Sequence, residues 1–145
     1  MTLTRGTMTD EQRVSVAKEF LRRLDAGGDT LELFDDDALY YFPKRGYMRG
    51  KAQIAEFFGQ LGALIASIEH HAAYFNIVVQ GDLVIIEGTS NGVTTDGVEW
   101  RAGVTHAGAW CDVFEIRDFK IHRLNTYLDP DYAGADTARY PWLSA

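Results

Sequence analysis

The stretch "AWCDVFEIRDFKIHRLNTYL", residues 109–128, decides the fold because it reads as two strands joined by the tight connection "RDFK". Successive side chains of a strand point to opposite faces. One face of the first strand is aromatic and aliphatic except for Asp112. The residues of that face are Trp110, Asp112, Phe114 and Ile116. A strand that places a carboxylate between two aromatic side chains calls for an explanation.

Composition limits the classes of function. The chain has 145 residues, 46% of them hydrophobic, which suits one domain with a real core. Its net charge of −7 and its lack of basic runs argue against nucleic acid or an anionic membrane as a partner. Cys111 is the only cysteine, so no intrachain disulfide can form, which fits a reducing compartment.

The beginning of the chain, "MTLTRGTMTDEQ", lacks the apolar segment of a signal peptide. No apolar stretch is long enough to cross a bilayer. We therefore expect a cytoplasmic protein with no membrane partner. Residues 1–145 are expected to form one domain, in which residues 1–8 are a flexible arm and residues 129–145 a tail whose aromatic side chains fold back onto the body.

A first helix is predicted to begin at Thr9, since Thr9 and Gln12 have the spacing of a capping box. Gly27 or Gly28 is expected to end it in the left-handed conformation. The segment 30–34, "TLELF", predicts only a short helical turn. The apolar stripe of the first helix follows the helical period and comprises Val14, Ala17, Phe20, Leu21 and Leu24.

A strand is predicted within 38–47 and is ended by Pro43. A second long helix is predicted over 51–68, where Gly59 and Gly62 suggest close packing against a neighbouring element. The predicted buried face of this helix comprises Ile54, Phe57, Phe58, Leu61 and Leu64.

The rest of the chain is predicted to be β-structure that can pair as a meander. Because strands follow helices without βαβ alternation, the order favours an α+β fold with an antiparallel sheet. The predicted strands lie near 70–80, 82–93, 97–117 and 120–128.

Motifs for cofactors are missing from the sequence. There is no P-loop and no GxGxxG, so nucleotide binding has no support, and we expect no cofactor. None of the histidines shows HExxH spacing. Because His70 and His71 are adjacent on a predicted strand, they point to opposite faces and cannot easily share a metal ion. We therefore predict no metal site.

Four segments together resemble the nuclear transport factor 2-like superfamily, and within it the SnoaL-like, polyketide cyclase-like group. The resemblance implies a cystatin-like α+β fold, in which a cone-shaped, curved antiparallel sheet packs against N-terminal helices. The concave side of that sheet would form a small-molecule pocket. The four segments are "AKEFLRRLDAGGDTLELFDDDALYYFP", "YMRGKAQIAEFF", "VVQGDLVIIEG" and "DVFEIRDFKIHRLNTYLDP".

The resemblance gives Asp112 a reason to be where it is, because ketosteroid isomerases and SnoaL-like cyclases place a pocket carboxylate on this strand. The other ketosteroid isomerase residues are absent. Phe42 stands before Pro43, where those enzymes have a general-base Asp, and Phe20 stands in place of their Tyr. Steroid isomerisation is therefore not expected.

A second known activity of the superfamily is disfavoured in the same way. Limonene epoxide hydrolase needs an Arg-x-Asp pair that corresponds here to Gly88 and Ser90, and its second catalytic Asp falls at Thr126. The family's Asp-Gly-Lys turn before the last strand is Asp118-Phe119-Lys120 in this chain.

The candidate catalytic residues are Asp112 and His71. A carboxyl group buried among aromatic side chains has a raised pKa and can act as an acid or base near neutral pH. We choose His71 rather than His70 to face Asp112 across the cone and form a dyad, and we place His122 at the rim. Two alternatives stay open: Asp112 could be held structurally by the backbone or an Arg, and the histidines could lie at the pocket mouth and at a subunit contact.

We expect the ligand to be a small, largely apolar molecule. The leading hypothesis is an acid/base enzyme, an isomerase, cyclase, dehydratase or hydrolase. The alternatives are a non-catalytic ligand carrier and an interaction module that uses the sheet face. As in relatives, a homodimer through the convex face, which carries Cys111, Val113 and Tyr127, is expected. The candidate substrate-binding residues are Tyr40, Tyr41, Phe42, Trp110, Phe114 and Thr126.

Overall fold

The computed structural model describes residues 8–143, and residues 1–7 of the predicted arm lie outside that range. The described chain contains two helices, eight strands and four short 3-10 turns, which confirms the α+β class. In chain order the elements are α1 (Asp10–Ala26), β1 (Phe34–Phe42), β2 (Gly46–Arg49), α2 (Gly50–Leu64), β3 (Ile65–His70), β4 (Asn76–Gln80), β5 (Leu83–Thr94), β6 (Glu99–Arg101), β7 (Ala109–Arg117) and β8 (Lys120–Leu128).

The capping box predicted for α1 is present. The Gln12 N–H donates to Thr9 Oγ1 at 3.1 Å, and the Thr9 N–H donates to Gln12 Oε1 at 2.9 Å. Gly27 ends the helix with φ of 74°. The buried face of α1 includes Ala17 and Phe20, as its apolar period predicts. The helix therefore begins, ends and packs where its sequence indicates.

The strands form one curved, unclosed sheet in the order β2-β1-β8-β7-β5-β3, and β4 and β6 also pair with β5. All pairs between these strands are antiparallel except β1 with β8. The predicted antiparallel sheet is therefore mixed. A parallel pair needs a long connection between its strands, and here residues 43–119, which contain α2 and β2 to β7, lie between β1 and β8.

Strand β5 holds the sheet together. Its first half pairs with β4 and β7, and its second half pairs with β3 and β6. A Cβ at Gly92 would lie 2.2 Å from Trp100 Cη2, and a Cβ at Gly88 would lie 2.8 Å from Trp110 Cζ2. Each indole ring therefore packs directly on the backbone of β5, at a position where only glycine leaves enough room. Glycine within a strand often indicates such a close approach to the backbone.

The second helix is shorter than predicted. Residues Ile65–His70 leave it and pair with β5, because this segment supplies Ile65 and Ile68, which suit a sheet. Leu64, predicted to be buried, is 64% exposed. A Cβ at Gly59 or Gly62 would meet nothing within 4 Å, so the close packing predicted for these glycines is wrong.

Two of the predicted strands are interrupted. Of the strand expected near 70–80, only Asn76–Gln80 forms as β4, because β3 ends at His70 and a 3-10 turn at Ala72–Tyr74 separates the two strands. The strand expected over 97–117 is divided into β6 and β7 by the loop 102–108. The connection between β7 and β8 forms without glycine, since Asp118 and Phe119 both adopt positive φ.

The core lies between α1, α2 and the concave face of the sheet. Its fully buried side chains include Phe20, Phe34, Ile54, Ile86, Phe114 and Leu124. Met8, at the end of the predicted arm, is also buried, and its carbonyl oxygen accepts from Arg13 Nη1 at 2.8 Å. Neither helix within residues 8–143 is long and apolar enough to cross a bilayer.

The capping box yields a prediction about stability. Thr9→Ala removes the side-chain acceptor and should lower the free energy of unfolding by about 1 kcal/mol. Thr9→Ser keeps a hydroxyl acceptor and is the matched control, which should stay close to the wild type. Urea unfolding followed by circular dichroism measures both. Equal midpoints for Thr9→Ala and Thr9→Ser would contradict the role given to the cap.

Candidate functional site

A cavity of about 490 Å³ lies between the helices and the concave face of the sheet. Most of its wall is apolar, and its polar groups come from α1, β1, β3, β7, β8 and the segment after β8. The apolar part includes Phe20, Phe42, Phe58, Leu61, Ile65 and Ile68. The polar part includes Asp25, Tyr40, His70, Asp112, Thr126 and Tyr132.

Asp112 lies on β7, near the middle of the sheet, and contributes to the cavity wall. Its expected inward orientation is confirmed, because the residue is only 4% exposed. Its Oδ1 atom is buried and has no hydrogen-bond partner within residues 8–143. A buried polar atom without a partner is costly. A molecule bound in the cavity would remove this cost if it donated a hydrogen bond to Asp112 Oδ1.

The environment of Asp112 brings its ionisation close to neutral pH. Burial raises the pKa of Asp112 to about 6, and a hydrogen bond with Thr126 and the positive charge of His70 act against that rise. Thr126 is the cross-strand neighbour of Asp112 on β8. A carboxyl with this pKa can exist both as a proton donor and as a proton acceptor under mild conditions.

Two tyrosines near Asp112 stay protonated. The Tyr40 hydroxyl lies 3.2 Å from Thr126 Oγ1. Burial, and to a smaller extent the charge of Asp112, raises the pKa of Tyr40. The same two causes raise the pKa of Tyr132. The polar end of the cavity therefore combines a titrating carboxyl with neutral hydroxyl groups.

A histidine held by a second carboxylate faces the same cavity. His70 Nδ1 lies 2.5 Å from Asp25 Oδ1, and the His70 backbone N–H donates to Asp25 Oδ2 at 2.9 Å. The carboxylate fixes the imidazole with its proton on Nδ1. No hydrogen bond within residues 8–143 engages the other ring nitrogen, Nε2. The His70 ring also packs edge-on against Trp110, with 5.1 Å between centroids.

Sequence reasoning missed Asp25, although a signal was present. Asp25 occupies the last turn of α1, just before the left-handed Gly27. A carboxylate is unfavourable there because the carbonyl end of a helix carries partial negative charge. An acidic residue in that position therefore indicates a partner outside the helix, which in this structure is His70.

The choice of His71 as the inward histidine is wrong. His71 Nδ1 lies 2.8 Å from Thr89 Oγ1, and its Nε2 lies 2.5 Å from Asn91 Oδ1, away from the cavity. The reason is that His70 lies two residues after Ile68 on β3, and strand alternation puts both on the cavity side, whereas His71 follows the end of the strand.

His122 does not lie on the inward face either. A bulge lets Ile121 pair with Ile116 while Arg123 pairs with Glu115, which leaves His122 as the extra residue. His122 Nδ1 instead lies 3.9 Å from Asp35 Oδ2.

Four of the six candidate binding residues line the cavity, namely Tyr40, Phe42, Trp110 and Thr126. The other two do not. Tyr41 points to the convex face, where its ring centroid lies 5.1 Å from that of Tyr47. Phe114 is fully buried in the dry part of the cone against Phe20, at 5.8 Å between centroids.

Trp110 is the second cavity residue with an unpaired polar atom, since its Nε1 is buried and has no partner within residues 8–143. No group of three or more His, Cys, Asp or Glu side chains in that range is placed to hold a metal ion.

Two helices packed on a curved, unclosed sheet of eight strands within residues 8–143 make the nuclear transport factor 2-like fold, which solved structures share. The sequence profile of the SnoaL-like domain matches residues 17–124, and the chain belongs to this family. No curated protein matches the chain.

Solved structures show the same fold at low sequence identity. An NTF2-like protein from Anabaena variabilis has a TM-score of 0.69 and 20% identity, over 88% of this chain and 98% of its own. A candidate polyketide cyclase from Xanthomonas campestris has a TM-score of 0.68 and 17% identity, over 82% and 91%. An LEH-like epoxide hydrolase from M. tuberculosis has a TM-score of 0.64 and 20% identity, over 89% and 91%.

The raised pKa of Asp112 predicts a pH-dependent gain in stability for Asp112→Asn. The unfolded chain ionises Asp112 from about pH 4, whereas the folded protein resists ionisation until its pKa of about 6. The contribution of Asp112 to the free energy of unfolding of the wild type therefore falls as the pH rises from about 4 to about 6, because Asp112 ionises less readily in the folded protein. Relative to the wild type, Asp112→Asn should gain up to about 3 kcal/mol between about pH 4 and about pH 7.5.

Urea unfolding at several pH values measures this difference. Asp96→Asn is the matched control, because Asp96 is exposed in the loop between β5 and β6. The control should show no such trend. A stability difference between Asp112→Asn and the wild type that stays constant across the window would contradict the account of Asp112.

Proposed function

We propose that the chain is a cofactor-independent acid/base enzyme that acts on a small, largely apolar molecule. The reaction is an isomerisation, cyclisation, dehydration or hydrolysis. One observation carries the proposal: a buried carboxyl with a pKa of about 6 and an unpaired oxygen shares a cavity with an imidazole that is held by a second carboxylate. Two titrating groups in different environments are the usual basis of acid and base roles.

The arrangement divides the work between His70 and Asp112. With its Nδ1 proton donated to Asp25, His70 can take a proton from the substrate on Nε2, and Asp25 then stabilises the imidazolium. Protonated Asp112 can deliver its proton to a substrate carbonyl or departing hydroxyl oxygen. In an isomerisation or dehydration, one proton thus leaves carbon for His70 while another reaches oxygen from Asp112.

The apolar wall supports the same proposal. Aromatic side chains around the cavity make its wall apolar, which strengthens the charge interactions inside it. Family membership and the similarity to structures described as a cyclase and an epoxide hydrolase support small-molecule chemistry in this fold. The hydrolase-type residue pattern is absent at Gly88, Ser90 and Thr126, so proton transfer at carbon is favoured over epoxide opening.

A non-catalytic carrier is the second candidate. It is favoured by the absence from this chain of the residues that accompany the pocket carboxylate in ketosteroid isomerases, as Phe20 and Phe42 show. A carrier would use Asp112 and Trp110 Nε1 only to recognise a hydroxyl or carbonyl group. Recovery of the ligand unchanged would favour this candidate.

The catalytic role of Asp112 can be tested with one substitution. Asp112→Asn keeps the shape and hydrogen-bonding capacity of the side chain but removes the titrating proton. Once a panel of polycyclic hydroxyketones has been screened by mass spectrometry for conversion, turnover of the best substrate by Asp112→Asn should fall by about a hundredfold or more, with nearly unchanged affinity. Asp96→Asn is again the control and should retain activity.

His70 supplies a second variant for the same assay. His70→Gln should also lower turnover, whereas His71→Gln, outside the cavity, should not. If Asp112→Asn changes affinity and its pH dependence while no compound is converted by the wild type, the carrier candidate replaces the enzyme.

We further propose a cytoplasmic homodimer that buries the convex face of the sheet. Strand register aligns a row of side chains on that face, and Tyr127 beside it is 48% exposed. Such a row of aromatic and aliphatic groups is typical of an interaction surface. The row consists of Val78, Ile85, Val113, Asn125, Tyr41 and Tyr47.

The dimer proposal predicts the effect of a charge at the centre of this row. Val113→Asp should convert the dimer to a monomer, because two buried carboxylates would face each other near the symmetry axis. Val104→Asp places the same change in the exposed loop 102–108 and should leave the mass unchanged. Light scattering at micromolar concentration measures both. A monomeric wild type would contradict the proposal.

A further inference from the structure

A second depression, of about 410 Å³, lies on the outside of the cavity wall. It runs between the end of α2, the turn after β1 and the segment that follows β8. Three side chains line both the depression and the central cavity, namely Phe42, Leu61 and Tyr132. Those three side chains therefore form the partition between the two spaces.

Tyr132 is the one member of the partition that belongs to neither a helix nor a strand. The loop that carries it is closed by Asp131, whose carboxylate accepts from the backbone N–H groups of Ala135 and Asp136 at 3.0 and 2.8 Å. The Tyr132 ring packs against Trp100, with 4.5 Å between centroids. A compact loop and an aromatic contact thus fix the ring in place.

The outer depression, called here the outer groove, has an apolar floor. Pro43, Phe57 and Pro130 contribute to it, and Leu64, which is largely exposed, lies on its edge. Its charged residues carry both signs, Lys44 and Arg45 against Asp131 and Asp136. An uncharged hydrocarbon chain is the chemistry that fits such a surface.

We propose that Tyr132 determines the size of the ligand, because it closes the central cavity against the outer groove. A hydrocarbon chain bound in the cavity of about 490 Å³ then cannot extend past Tyr132 into the outer groove, so compounds that fit the cavity are favoured over longer ones. This proposal rests on the small-molecule binding proposed above, but it does not depend on whether the bound molecule is converted.

A homologous series of phenyl alkyl ketones measures the size limit. Isothermal titration calorimetry gives the Kd of each ketone, with the chain lengthened by one methylene at a time. In the wild type, affinity should rise by about fourfold per methylene for the short chains and then stop rising when the cavity is full. In Tyr132→Ala the rise should continue over several further methylenes, because the chain can enter the outer groove.

Matched variants separate the ring from the hydroxyl group and define the path of the chain. Tyr132→Phe keeps the ring and should retain the wild-type length limit. Tyr132→Ala combined with Leu64→Asp places a charge in the outer groove and should lose the extra affinity for long chains, with no change for short ones. Tyr132→Leu, which also opens the partition, replaces Tyr132→Ala if that variant unfolds.

Two outcomes would overturn the proposal. The first is that Tyr132→Ala and Tyr132→Leu still bind the short ketones, but their affinity stops rising at the same chain length as in the wild type. The second is that wild-type affinity already keeps rising through the longest chains. If no ketone of any length binds to the wild type, small-molecule binding itself fails, and the proposal for Tyr132 fails with it.

Discussion

The contact of two indole rings with bare backbone on β5 is the constraint on which the rest of the structure depends. Trp100 covers Gly92 and Trp110 covers Gly88, at distances that leave no room for a Cβ. Glycines within a long strand let it bend, and bends of this kind give a sheet its curvature. Because β5 pairs with four other strands, the packing at Gly88 and Gly92 affects most of the curved sheet. The helices then fill the narrow part of the concave side and leave its wide part as a cavity.

Burial of Asp112 is a consequence of that shape. At the narrow end of the cone, Phe114 meets Phe20 of α1 and the space is dry. Two residues earlier on the same face of β7, Asp112 contributes to the cavity wall instead. The alternation of side chains along β7 thus places a core residue, Phe114, and a site residue, Asp112, on the same face of the strand. In the dry part of the cone a carboxyl would lower stability without any benefit, so an apolar side chain is expected there. At the cavity wall a carboxyl also lowers stability, but it can be retained because it serves the site.

Sequence patterns predicted those features that are determined by residues close together in the chain. The capping box at Thr9 and the inward face of β7 were predictable because adjacent residues determine them. The failures have tertiary causes. Ile65 and Ile68 continue the helical period of α2, yet pairing with β5 outweighs helix propensity there. Which of the adjacent His70 and His71 faces the cavity depends on how β3 pairs with β5 and where it ends, and the strand ends at His70. Asp25 and His70 meet only after folding, so no spacing in the sequence could reveal the pair.

The proposed site is built from elements that the fold holds by independent means. Asp25 is fixed by the end of α1, His70 by the last residue of β3, and Asp112 by the centre of β7. Asp25 accepts two hydrogen bonds from His70, so each of its carboxylate oxygens has a partner. Asp112 keeps an oxygen without a partner, which favours its protonated form. The two carboxyl groups therefore differ in hydrogen bonding for structural reasons. That difference lets one orient a base while the other carries a proton, which is the division of roles that acid/base chemistry in an apolar cavity requires.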